Sequence, residues 1–227
     1  MHSLFTPVDT FDTSTYLHSV VYPNNSFALQ WLMPVTGLQD SGQPITPPGF
    51  DQNYGLYLTV DASGILGQTT PTPVAEKFTS INVTLWADPK NDAGTASSTV
   101  ANSASFSGPT SNDIVLATGT MVSGMMSVDP TTGVRTATDV ETLTPTLAGT
   151  ILLDGSIKPG QQITENFTTQ PNEFQALPQP DGTSVDLVNG GAATVTFSQP
   201  DGSPATISIP THSLLKPALR FLYHSNR

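Results

Sequence analysis

Two aspartates and an asparagine crowd the turn that follows a predicted strand, in the stretch INVTLWADPKNDAG at residues 81–94. Asp88, Asn91 and Asp92 could offer oxygen ligands to a hard cation such as Ca²⁺, and Gly94 would let the chain curl around the ion. The alternating aspartates and distal glutamate of an EF-hand are absent. An Asp-Pro turn with side-chain-to-backbone hydrogen bonds explains the same residues. Calcium binding and a plain turn therefore both stay open, and we expect no other cofactor.

Trp86 lies just before this turn, on the polar face of its predicted strand. The alternation places it opposite Val83 and Leu85. An exposed indole there could be a stacking platform for a sugar ring, which makes Trp86 a candidate ligand-binding residue. Burial is the alternative interpretation, because large aromatic side chains are mostly buried. The second tryptophan, Trp31, is in phase with Phe27 and is predicted to belong to the core.

The catalytic groupings that sequence motifs can reveal are missing. None of the four histidines stands at metal-ligand spacing from another; they are His2, His18, His212 and His224. No G-x-S-x-G elbow and no phosphate-binding glycine loop occurs. A glycosidase needs two facing carboxylates, and the chain has only four glutamates, Glu76, Glu141, Glu165 and Glu173. We predict that the protein is not an enzyme, with a glycan hydrolase built on a long-range carboxylate pair as the alternative.

Composition excludes several classes of partner. The chain carries 7 Lys and Arg against 18 Asp and Glu, a formal net charge of -11, so it would repel nucleic acids. No run reaches the roughly 18 apolar residues that a membrane span needs. There is no cysteine, which excludes disulfides, thiolate zinc sites and a cysteine nucleophile. Solubility must come from neutral hydroxyl and amide groups, a composition that we associate with exported bacterial proteins.

Short alternating segments bounded by Gly, Pro, Asn or Asp dominate the chain. We predict strands at residues 26–33, 54–60, 81–88, 113–128, 149–155, 184–189, 192–199 and 205–210. Helical spacing is limited to 14–21 and 213–224. This pattern predicts an all-β antiparallel sandwich with at most one or two short helices, forming a single domain over 1–227. A closed barrel is the alternative, because strand patterns do not show whether the first and last strands of a sheet pair with each other.

The C-terminal segment 213–227 gathers three of the seven basic residues, Lys216, Arg220 and Arg227, around an apolar run. One interpretation is a docked terminal segment with solvated ends. The other is a contact with an acidic partner or with another copy of this acidic chain.

Four segments, read in order, resemble a known family. They are NYGLYLTVDASG (53–64), FTSINVTLWADPKND (78–92), DIVLATGTMVSG (113–124) and the block at 143–174. Their order and spacing resemble the flocculation-associated proteins of exopolysaccharide-producing bacteria that carry a PEP-CTERM sorting signal. Members of that family end in a Pro-Glu-Pro motif, an apolar helix and a basic tail, whereas this chain ends PALRFLYHSNR. The resemblance implies an extracellular protein of flocs or biofilms and brings no catalytic residues.

Composition and resemblance together predict a secreted, non-enzymatic protein of the bacterial extracellular matrix. We expect it to bind polysaccharide or copies of itself. The alternatives are the glycan hydrolase above and a structural subunit of a surface layer, pilus or capsid. A structural subunit would expose a strand edge that a neighbouring copy fills.

Overall fold

Strands account for most of the described chain. The computed structural model describes residues 4–66, 74–91, 95–97, 105–107, 109–129, 131–132, 134–169, 175–178 and 184–210. Its elements are β1 (Phe5–Val8), β2 (Thr10–Val21), β3 (Ser26–Asp40), β4 (Gln43–Ile45), β5 (Gly55–Leu66), β6 (Val74–Asp88), β7 (Thr95–Ser97), β8 (Ser105–Ser107), β9 (Ile114–Val128), β10 (Arg135–Pro145), α1 (Leu147–Leu152), β11 (Gln162–Thr168), β12 (Gln175–Pro178), β13 (Ser184–Ser198) and β14 (Ile207–Pro210). The predicted all-β class is confirmed.

Eight antiparallel strands close into a barrel in the order β11-β10-β9-β6-β5-β3-β2-β13. The closing contact runs from Gln162 paired with Ser198 to Thr168 paired with Ala192. The prediction of a sandwich is therefore wrong, and the alternative of a barrel describes the sheet. The physical reason is that β13 pairs with β2 along one edge and with β11 along the other, so the first and last strands of the sheet join.

Bulges give the barrel wall its curvature. The register shifts at five places, between Asp12 and Thr13, Ser63 and Gly64, Leu85 and Trp86, Val140 and Glu141, and Asn189 and Gly191. Such bulges bend a strand and increase its twist, which a small barrel needs to close. At Gly64, an added Cβ would overlap the Phe27 ring and the Lys77 carbonyl oxygen. Glycine is required there because the backbone and a core ring approach each other so closely.

The barrel interior is filled by the inward-facing residues of each strand. Trp31 packs between Phe78 and Phe167, with ring centroids 6.1 and 5.6 Å away. The prediction that Trp31 belongs to the core is confirmed, because it is only 2% exposed. The ladder of β1 with β14 adds further buried side chains to the same core.

Three local predictions were wrong. Residues 14–21 form part of β2, not a helix, because their burial alternates with period two. Residues 149–155, predicted as a strand, overlap the last four residues of α1, whose first turn is capped by the Thr146 hydroxyl accepting from the Gly149 N–H at 2.9 Å. Segments 184–189 and 192–199 are one strand with a bulge near Gly191. The predicted terminal segment 213–227 lies outside the described residues.

Among the described residues, no helix has the length and apolar character needed to cross a membrane.

Candidate functional site

A groove with both polar and apolar lining crosses the outer face of β2, β3, β5 and β6. It consists of two adjoining cavities of about 380 and 420 Å³, which share Gln30 and Asp61. We call this feature the outer groove; it is lined by His18, Val20, Ala28, Leu29, Gln30, Trp31, Leu32, Thr59, Val60, Asp61, Ala62, Ser63, Ser80, Asn82, Thr84, Trp86 and Pro109. Its outward-facing side chains are mostly hydroxyl, amide and carboxyl groups.

Strand register aligns four of these polar side chains in one row across the groove. His18 lies opposite Gln30, Gln30 opposite Asp61, and Asp61 opposite Asn82. The Gln30 amide donates to an Asp61 carboxylate oxygen at 3.0 Å, which fixes the orientation of both side chains. Partial burial lowers the pKa of His18, so its imidazole is neutral at pH 7 and can both donate and accept a hydrogen bond.

Trp86 lines the same groove and is held from two sides. Its ring stacks on Tyr57 with centroids 5.9 Å apart and planes 6° from parallel. Its indole N–H donates to the Thr59 hydroxyl at 2.9 Å. The Tyr57 hydroxyl in turn donates to an Asp113 carboxylate oxygen at 2.8 Å. Trp86 is partly exposed on the outer face, so it is neither a core residue nor a free surface side chain.

The predicted calcium ligands lie at the end of β6. Asp88 is buried, and its carboxylate accepts from the Lys90 backbone N–H at 3.0 Å. Asn91 adopts φ 54° and donates its amide to the Asp51 carbonyl oxygen at 3.1 Å. Asp92 lies outside the described residues. Turn hydrogen bonds account for the Asp88 and Asn91 contacts, and calcium binding at this turn stays a prediction.

A second group of titratable residues lies inside the barrel. Asp139 and Glu141 face inward from β10, and Glu165 faces inward from β11, directly opposite Asp139. One carboxylate oxygen from each residue lies within 4.8 Å of the other two. The three residues, which we call the acidic cluster, are 0%, 0% and 1% exposed. No donor among the other described residues reaches any of their six oxygens, although Asp139 and Glu141 can share a proton between their carboxyl groups.

Burial raises the pKa of every member of the acidic cluster, and the charge of a neighbouring carboxylate adds to the rise at Glu141 and Glu165. Burial raises the pKa of Asp139 to about 7. Burial and the neighbouring Asp139 charge raise the pKa of Glu141 to about 9. Burial first, and then the charges of the other two residues, raise the pKa of Glu165. Three carboxylates at this spacing cannot all remain ionised without a compensating charge. Their negative charge must be neutralised by protons or by a bound cation.

Sequence reasoning named Glu141 and Glu165 but did not bring them together with Asp139. The alternation of β10 could have indicated that both of its acidic residues face inward. The buried positions of this strand are Ala137, Asp139, Glu141 and Leu143. Burying an acidic side chain at an inward position of a strand destabilises the fold. Such a residue is therefore a candidate for a functional site. Their meeting with Glu165 depends on the β10–β11 pairing, which strand patterns do not reveal.

The glycan-hydrolase alternative needs a pair of facing carboxylates, which the acidic cluster supplies, and also a cleft that admits the substrate. The acidic cluster lies within the barrel core and is at most 1% exposed. A glycosidic bond must reach both carboxylates for acid–base chemistry. The geometry therefore does not support glycan hydrolysis at this cluster.

No family model, curated protein or solved structure matches this chain. The functional argument therefore depends on the geometry of the outer groove and of the acidic cluster. The resemblance to flocculation-associated proteins stays a prediction.

Proposed function

We propose that this protein is a non-enzymatic, polysaccharide-binding protein of a bacterial extracellular matrix, which holds a glycan chain in the outer groove. One observation carries the proposal: the partly exposed, pre-oriented Trp86 lies in the same groove as the polar row from His18 to Asn82. Sugar rings present apolar faces and hydroxyl edges, so a binding site needs an aromatic surface together with fixed polar groups.

The length of the polar row fits a chain better than a single sugar. It crosses four neighbouring strands, and three strand spacings amount to about 14 Å. The Gln30–Asp61 hydrogen bond keeps both side chains in place before a ligand arrives, which lowers the entropy lost on binding. The groove is open at the surface, so a long polymer can lie along it without threading into the protein.

Charge selects among polysaccharides. With a net charge of -11, the protein repels strongly acidic polymers, and Asp61 places one acidic group within the groove itself. We therefore propose a neutral polysaccharide, whose hydroxyl groups can donate to Asp61 and accept from Asn82. The extracellular location and the role in flocs or biofilms follow from composition and from the resemblance, and they belong to the same proposal.

Self-association is a second candidate, favoured by exposed apolar side chains. Met125 and Ile65 are 68% and 54% exposed, and both lie opposite Lys77 on neighbouring strands. Within the described residues, each of the eight barrel strands pairs on both sides, whereas β4 and β12 each pair on one side only. The exposed side chains therefore favour association through the barrel surface, and a strand added to this sheet by a neighbouring copy would have to pair with β4 or β12.

The test of glycan binding is retention by the producer's own exopolysaccharide, together with sedimentation. We expect wild type to be retained, and Trp86→Ala to lose at least tenfold in affinity. Tyr22→Ala is the matched control, because Tyr22 is 41% exposed and lies outside the groove. Trp86→Phe, which keeps an aromatic ring, should retain part of the binding. A strictly monomeric wild-type protein with no glycan retention would remove both candidates.

A further inference from the structure

We infer that Asp139, Glu141 and Glu165 form an internal site for one hard divalent cation, Ca²⁺ in the first instance, in the barrel interior beside strands β10 and β11. This site is distinct from the turn at Asp88 that the sequence suggested. The inference does not depend on glycan binding, because the acidic cluster faces the interior and the outer groove faces solvent.

The geometry of the three carboxylates suits such an ion. Asp139 and Glu165 are cross-strand partners, and Glu141 is the next inward residue on β10. Calcium binds oxygen at about 2.3–2.6 Å, so two ligands on opposite sides of the ion lie about 4.8 Å apart. The carboxylate oxygens lie within that same distance. Three carboxylates offer up to six oxygens, which reaches the lower end of the coordination number of calcium.

The polar atoms in the interior point to a ligand independently of that spacing. All six carboxylate oxygens are buried, and no donor among the other described residues reaches them. Buried acceptors are normally satisfied, and an unpaired buried charge is strongly destabilising, so the cluster requires protons or a cation.

Two glycines on β9 let that strand pass close to the acidic cluster. Gly124 is the register partner of Asp139, and a Cβ added there would lie 3.2 Å from the Asp139 Cβ. Gly119 is the register partner of Leu143, and a Cβ added there would lie 3.2 Å from the Glu141 Cβ. On the other side of β11, the partner of Glu165 is Val195. None of these flanking residues has a titratable side chain. The basic residue described on β10 is Arg135, which lies on the same face of the strand as Asp139 and four positions before it.

Protons are the rival occupants. Three protonated carboxyl groups would be neutral and would need no metal. A divalent cation balances two carboxylates, so the third keeps its proton and up to two protons leave when the ion binds. Cation affinity should therefore rise with pH, by up to a hundredfold per pH unit while all three carboxyls start protonated. A neutral cluster that binds no metal would show no such dependence.

The buried position dictates how the experiment is done. An ion exchanges slowly when the barrel must open, so the full chain is unfolded in denaturant with a chelator and refolded with Ca²⁺, Mg²⁺ or no metal. Bound metal per chain is measured by elemental analysis after gel filtration, and the melting temperature is recorded. We expect one ion per wild-type chain. At a hundredfold excess over Kd the rise in melting temperature should be about 5–10 °C.

Two isosteric variants discriminate the sites. Glu165→Gln should abolish metal binding and the metal-dependent rise in melting temperature, while folding at least as well as metal-free wild type, because an amide is neutral. Asp88→Asn should keep both, because its turn hydrogen bond needs only a side-chain oxygen. Wild type that binds no metal, with an unchanged melting temperature, would overturn the inference in favour of protons. Metal lost in Asp88→Asn and kept in Glu165→Gln would overturn it in favour of the turn.

Discussion

The orientation of one indole ring decides how well the outer groove can bind a sugar. Trp86 is fixed by the Tyr57 ring and by the Thr59 hydroxyl, which accepts its N–H at 2.9 Å. A fixed ring loses little conformational entropy when a ligand stacks on it, so the two supports contribute to affinity without touching the ligand.

Thr59→Val should weaken glycan binding although valine has nearly the same shape as threonine. The change removes the acceptor of the indole N–H and leaves the Tyr57 stack in place. A neutral hydrogen bond contributes about 1 kcal/mol, so we expect about a fivefold loss of affinity, measured by affinity electrophoresis in polysaccharide gels. Thr84→Val, on the neighbouring strand within the groove, is the comparison. Equal losses of affinity in both variants would contradict a specific contribution of the indole hydrogen bond to glycan binding.

The acidic cluster predicts an unusual dependence of stability on pH. Each raised pKa means that the folded protein keeps a proton which the unfolded chain loses above about pH 4. In the absence of metal, the free energy of unfolding should therefore fall as pH rises from about 5, until Asp139 ionises near 7 and Glu141 near 9. The decline amounts to about 1.4 kcal/mol per pH unit for each proton involved.

Urea unfolding in the presence of a chelator, at pH 5, 6.5 and 8, measures this decline. Asp139→Asn should make it shallower, because the amide does not titrate. Stability that rises over the same interval would contradict the assignment of raised pKa values. The exposed carboxyls Asp129 and Asp201 have lowered pKa values from hydrogen bonds, but they lie in solvent and contribute little.

At the scale of elements, the closely packed bulge at Gly64 holds β5 against β6. Gly64→Ala should destabilise the fold by about 1–3 kcal/mol, because the added methyl group overlaps the Phe27 ring and the Lys77 backbone. The neighbouring Ser63→Ala faces outward and should cost much less. Urea unfolding of both variants measures the difference. Equal stability of the two variants would contradict the close packing described at Gly64.

Most strands were predictable from alternation because each strand has one buried face. Residues 26–33 and 81–88 lie within β3 and β6, and their phases are as predicted. The errors arose where tertiary packing overrides local preference. α1 forms because Gly149 packs directly on the Leu116 backbone, and β13 continues through a bulge rather than a turn. Neither contact can be inferred from neighbouring residues in the chain.

At the scale of the whole molecule, closure of the barrel separates two surfaces with different chemistry. The outward residues of β2, β3, β5 and β6 form the outer groove, and the inward residues of β10 and β11 form the acidic cluster. The position of Trp86 on an outward face followed from its phase. The acidic cluster did not, because it requires the pairing of Asp139 with Glu165, which only the strand order provides.

The net charge predicts how salt affects binding. Retention of a neutral polysaccharide should change less than about twofold between low salt and about 0.5 M NaCl, because stacking and neutral hydrogen bonds are hardly screened. Retention of an acidic polysaccharide should be weak at low salt and should increase as salt screens the repulsion from the -11 charge. Affinity electrophoresis with both polymers measures the contrast. Tight binding of the acidic polymer at low salt would contradict the proposed preference.

The most direct test of glycan binding in the outer groove uses the fluorescence of a single tryptophan. The chain has two tryptophans, and Trp31→Phe leaves Trp86 as the only one. We predict that the exopolysaccharide shifts the emission of Trp86 saturably, with the same midpoint as its retention in gels. Bound polysaccharide with unchanged Trp86 emission would contradict the account, because the glycan would then lie elsewhere.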